Sequence, residues 1–209
     1  MLRWKNTRMR RHVSTALAAV LVLGSLTLAV PSQAELVKYN LDMEHTAITF
    51  KVRHFFSKVP GRFSKFSGTL MIDEENFANS SVKVEIESAS IDTNDEARDR
   101  HLRSDAFFDV ENHPAITFDS TGIRLQGDTK LFIDGNLTIR GVTKAVTLEG
   151  EILGFGKMYG VRRGAFEASV TINRKDFNVS WNDVIEGGGF VLGNDVEITL
   201  NLEAKKAKS

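Results

Sequence analysis

Four histidines lie beyond residue 35: His45, His54, His101 and His113. An imidazole can ligate a metal, move a proton or hydrogen-bond an oxygen. Three of them with Asp99 or Glu111 would make a ligand set, but their spacings match no zinc signature. His101 and Asp99 are the acid/base candidates, yet no G-x-S-x-G elbow and no P-loop accompanies them. The chain has no cysteine, which removes thiol catalysis and thiolate ligation. His45 and His113 read as capped strand ends or packed rings. His54 and His101 read as a polar end to an apolar cavity, where they would hydrogen-bond a ligand's oxygen. Arg98, beside Asp99, fits an ion pair or helix-surface network first. Its alternative is to face the polar end of a ligand, as an arginine does for a phosphate. No cofactor is called for.

A helix must carry Arg98, Asp99 and His101. Thr93 with Glu96 reads as a capping box, which predicts a helix over roughly Asp95 to Arg103. Phe107, Phe108 and Asp109 follow, and His113-Pro114 starts an extended segment. The rest alternates. Val37, Tyr39 and Leu41 share one face, as do Ile48, Phe50 and Val52, then Phe66, Leu70 and Ile72, then Val82, Val84 and Ile86. Beyond the helix the same pattern returns at Ile116 and Phe118, Leu131 to Ile139, Val146 to Ile152, Phe166 to Ile172 and Val196 to Leu202. Turn signals fall at Gly127-Asp128, Arg140-Gly141, Gly154 to Gly160 and Gly187 to Gly189, and no proline is placed in a strand.

Eight or nine strands with one dry face must form a sandwich or close into a barrel. There are 14 Phe against two Tyr and two Trp, so most of the aromatic surface has no polar handle. A packed core and a lined apolar cavity both need these residue types, and periodicity does not separate them.

The first residues belong to an address. Arg3, Lys5, Arg8, Arg10 and Arg11 precede an apolar run from Ala16 to Val30 and the small-x-small site Ser32-Gln33-Ala34. That layout predicts a cleavable signal peptide over 1–34, a mature domain over 35–209 and export to the periplasm. The leader holds five of the 27 basic residues and none of the 27 acidic ones, which leaves the mature part at −5. Such a charge argues against nucleic acid and against strong adsorption to anionic headgroups. No later apolar run is long enough for a membrane helix, so stable membrane insertion is not expected.

Five ordered blocks carry a resemblance. They are H-T-A-I-T-F-K-V-R-H (His45 to His54), R-D-x-H-L at Arg98, D-G-N-L-T-I-R-G-V-T-K (Asp134 to Lys144), F-E-A-S-V-T-I-N-R-K-D-F-N (Phe166 to Asn178) and the closing G-G-G-F-V-L-G-N-D-V-E-I-T-L-N-L-E-A. Together they resemble the YceI-like family over essentially Leu36 to Ala204. One departure is Asn178, where the family usually has Gly; Asn tolerates a left-handed backbone. The resemblance implies an all-β fold, an extended eight-stranded antiparallel lipocalin-like barrel with one short crossover helix. It also implies a carrier, not an enzyme, that holds a polyisoprenoid lipid such as a quinone or polyprenyl phosphate in its interior. The lining candidates are Ile48, Phe50, Val52, Phe118, Leu137 and Phe166 on the dry face, with Phe107 and Phe108 in the crossover. His54, Arg98 and His101 are the candidates for the polar end. The alternative is a small periplasmic enzyme acting on an apolar substrate. The chain leaves open whether it works alone or as a homodimer.

Overall fold

The computed structural model describes residues 36–186 and 188–208. The expected leader, 1–34, lies outside the described residues. Alternation folds as read. The first strands are β1 (Val37–Leu41), β2 (Ala47–His54), β3 (Ser57–Phe63), β4 (Phe66–Ile72), β5 (Ser81–Glu87) and β6 (Ile91–Asp92). One helix follows, α1 (Glu96–Arg103). Then come β7 (Ala115–Gln126), β8 (Lys130–Ile139), β9 (Val142–Met158), β10 (Val161–Asn173) and β11 (Leu192–Lys206).

Every named pairing is antiparallel, and the ring runs β1-β4-β5-β7-β8-β9-β10-β11 before β11 returns to β1. This is a closed eight-stranded barrel with one crossover helix. Closure removes the exposed edges that would invite further pairing. β11 is long enough to serve two partners. Its end, Ala204 to Lys206, meets β1, and Leu192 to Asn201 meets β2. β2 then carries β3, and β3 carries β6. Three positions of the ring are thus built from two strands in series, which lengthens the barrel beyond β1, β4 and β5.

Some expectations need correction. The helix is capped by Asp95, whose carboxylate accepts from Arg98 N–H at 3.0 Å; Thr93 stands too early, beyond the left-handed Asn94. Pro60 does lie in a strand, opposite Lys51 in β3. From the closing pair His54↔Ser57, alternation puts Pro60 at a non-hydrogen-bonded place, where the missing N–H costs no ladder bond. The predicted turn over Gly154 to Gly160 shrinks to Tyr159-Gly160, with φ of 51° and 79°. Gly154, at φ 149°, instead sits where the β9–β10 register shifts, so it serves a bulge. Asn178 adopts the left-handed conformation at φ 60°, as its place in a glycine position required.

Candidate ligand-binding site

The inward faces do not meet. They enclose a cavity of about 480 Å³ that runs along the barrel. Its size falls within the ~300–1,000 Å³ usual for small-molecule sites. All eleven candidate residues border it. Ile48, Phe50 and Val52 come from β2, with His54 at that strand's end. Phe118 on β7 and Leu137 on β8 are direct cross-strand partners, and Phe166 comes from β10. Phe107 and Phe108 come from the loop after α1, and Arg98 and His101 from the helix itself.

Glycines keep the lumen clear. A methyl at Gly61 would overlap the Phe50 ring, and one at Gly135 would overlap the Phe118 ring. Each ring therefore lies against a bare stretch of neighbouring backbone instead of reaching across the barrel. Glycine in a strand interior has this use, since a side chain there would occupy the space.

Helix α1 covers one end. It is held by polar bonds, and its single buried residue is Asp99. Arg103 donates to Ala89 O and Ile91 O, both at 2.7 Å, which ties the helix to β6 and the turn before it. Arg140, in the β8–β9 turn, donates to Asp105 O, Phe107 O and Asn178 O, and so clamps the crossover loop. Asp99 accepts from Thr93 N–H at 2.9 Å and Thr93 Oγ1 at 2.5 Å. Arg98 donates through Nε to Thr93 Oγ1 at 2.7 Å. Arg98 and Asp99 are thus joined through Thr93, and no hydrogen bond joins Asp99 to His101. The His101 ring packs edge-on against Phe107 at 5.0 Å and Trp181 at 4.9 Å. His45 binds Asp42 at 3.0 Å, and His113 packs under Gly141, so both are structural here.

Aromatic rings gather toward Phe77, away from α1. Phe155 contacts Tyr39, Phe77 and Phe166 with ring centroids 5.6–6.3 Å apart. Tyr39 donates to Glu74 at 2.6 Å, and Glu74 pairs with Arg162. Burial, and then the bond to Glu74, push the Tyr39 phenol up to about 12.

The YceI-like domain model matches residues 39–204. The chain belongs to the YceI-like family. A UPF0312 protein of Pseudomonas paraeruginosa is 42% identical over 165 residues, covering 77% of this chain and 85% of that protein. Protein YceI of Salmonella arizonae is 43% identical over 147 residues, covering 68% and 76%. Among solved structures, BcnA of Burkholderia cenocepacia has a TM-score of 0.69 at 25% identity, covering 78% of this chain and 98% of its own. A polyisoprenoid binding domain from Saccharophagus degradans has a TM-score of 0.61 at 14% identity, covering 82% and 99%, a likeness of fold.

Within this YceI-like barrel, Trp181 and Arg174 are among the wall residues that sequence reading overlooked. Trp181 borders the cavity from the loop before β11, where no periodicity marks it. Its signal was being the one tryptophan beyond residue 34. Arg174, which also borders the cavity, stood inside a matched block without a role. It is buried, and burial pulls its guanidinium below the ordinary arginine value.

Proposed function

We propose that this protein is a periplasmic carrier of one long-chain polyisoprenoid lipid, of the quinone or polyprenyl phosphate type, held along the barrel axis. The cavity carries this reading. Its wall is almost wholly aliphatic and aromatic, with Ile48, Phe50, Phe118, Leu137 and Phe166 along its length. Burying apolar chain gains about 25 cal/mol per Å², so an isoprenoid gains affinity there without polar contacts. His54, Arg98 and His101 border the cavity from β2 and α1, and would orient a head more than hold it. The Saccharophagus degradans neighbour, described as a polyisoprenoid binding domain, supports the choice of ligand. The leader pattern of residues 1–34 supports the address.

The competing enzyme reading needs Asp99 free to move a proton with His101. Asp99 is instead engaged by Thr93. The test is incubation of the purified protein with an offered isoprenoid, followed by extraction and mass spectrometry. The carrier reading predicts a bound lipid of unchanged mass. A lipid that is converted on incubation would contradict it, and so would the absence of binding.

A further inference from the structure

Arg174 is a buried cation without a carboxylate. It opens the 3-10 turn Arg174–Phe177 and is 5% exposed. Its Nε donates to Gly193 O at 2.9 Å, and its Nη1 to Val179 O at 2.6 Å and Trp181 O at 2.8 Å. Nη2 is buried and has no acceptor among the described residues. No ion pair to Arg174 occurs among the described residues. Arg103 and Arg140 also bind carbonyls, but both are only half-buried, so water screens them. The buried Asp42, by contrast, is met by Arg163, Lys205 and His45.

Carbonyl dipoles offset part of a buried unit charge. Leaving the rest uncompensated costs several kcal/mol. Yet Arg174 borders the cavity in which the ligand is placed. With Nε and Nη1 on carbonyls, the N–H groups of Nη2 are left to meet a phosphate or carboxylate oxygen. The surroundings agree. Trp181, whose carbonyl Arg174 holds, packs on His101, and Arg98 lies one helical turn before His101. Arg98 and His101 thus border the cavity from α1, and Arg174 borders it through the Trp181 loop. At the Phe77 end the cavity is bordered by the hydroxyl residues Ser80 and Ser81, and by no cation among the described residues. The one acid on the wall, Glu167, has an exposed side chain between the inward Phe166 and Ala168.

We propose that the barrel's lipid carries an oxyanion head, and that Arg174 is its counter-ion beneath α1. This rests on the carrier reading and narrows it: a phosphate- or carboxylate-headed isoprenoid is preferred over a neutral alcohol or quinone. The head supplies the partner that Nη2 lacks, and the hydrocarbon runs away from α1 toward Phe77.

Titration calorimetry on the lipid-stripped protein tests it with three probes of one chain length: geranylgeranyl phosphate, geranylgeranoic acid and geranylgeraniol. At least one of the two anionic probes should bind tenfold or more tighter than the alcohol. Which anion is preferred separates a phosphate head from a carboxylate. Arg174→Met should bring the anions down to the alcohol's affinity in the same variant, so that the preference is lost. Circular dichroism checks that this variant is folded; the wild-type comparison decides even where it is not. Equal binding of all three probes by the wild type would overturn the oxyanion head and leave the carrier reading standing. A folded Arg174→Met variant that keeps the preference would remove Arg174 as the counter-ion. Binding of none of the three would overturn the carrier reading as well.

Discussion

Phe118 and Gly135 set the width of the lumen between them. The Phe118 ring occupies the space a Gly135 side chain would need. Gly135→Ala should therefore push the ring inward, at a cost of about 1–3 kcal/mol of stability from overpacking. Bound lipid should fall more than the melting temperature suggests, as measured by lipid extraction beside a thermal melt. Phe118→Asp tests the wall from the other side. An unpaired carboxylate there costs a bound chain several kcal/mol, so copurified lipid should disappear from a variant shown to be folded. A folded Phe118→Asp protein at wild-type occupancy would remove this residue from the wall. The inward position of Phe118 was legible from alternation. The glycine beneath it was not, because a glycine within a strand reads equally as a bulge or a turn.

Where β1 passes into β2, the chain is stapled by Asp42. Its carboxylate is buried, which opposes ionisation, but bonds from Lys205, His45, Arg163 and Glu44 N–H outweigh that and hold it well below the usual carboxylate range. A carboxyl depressed on folding stabilises above its unfolded value, about pH 3.9, and loses that contribution as pH falls toward its folded value. Stability should therefore be flat near neutrality in this respect and decline below about pH 4. Asp42→Asn should flatten that acid limb and cost about 1–3 kcal/mol at pH 7, since it takes the charged acceptor from Arg163, which keeps Glu203, and from the part-exposed Lys205. Denaturant melts at pH 3 and pH 7 measure both. Elements with a clean period of two were legible. β3 was not, because its S-K-V-P-G-R-F contains Pro and Gly, and its place depends on pairing with β2. The cap of α1 was read at Thr93 because a sequence does not reveal that Thr93 is taken by Asp99.

One apolar face over eight or nine strands was legible and allowed a sandwich or a barrel. The family resemblance supplied the eight-stranded barrel, and the structure closes it. A hollow interior was not legible, because packed and hollow barrels use the same inward residues and differ only in how closely the walls approach. The proposed export makes a separate prediction: N-terminal sequencing of the periplasmic fraction should begin at Glu35 or within a residue or two of it. A product in the membrane fraction that keeps Met1 would contradict it. The central claim is that the lumen holds an isoprenoid chain. Solvent extraction of protein purified from its own cells, followed by quantitative mass spectrometry, tests it most directly. The account predicts about one isoprenoid lipid per chain, filling one apolar site; protein that carries no lipid and takes up none when offered would contradict it.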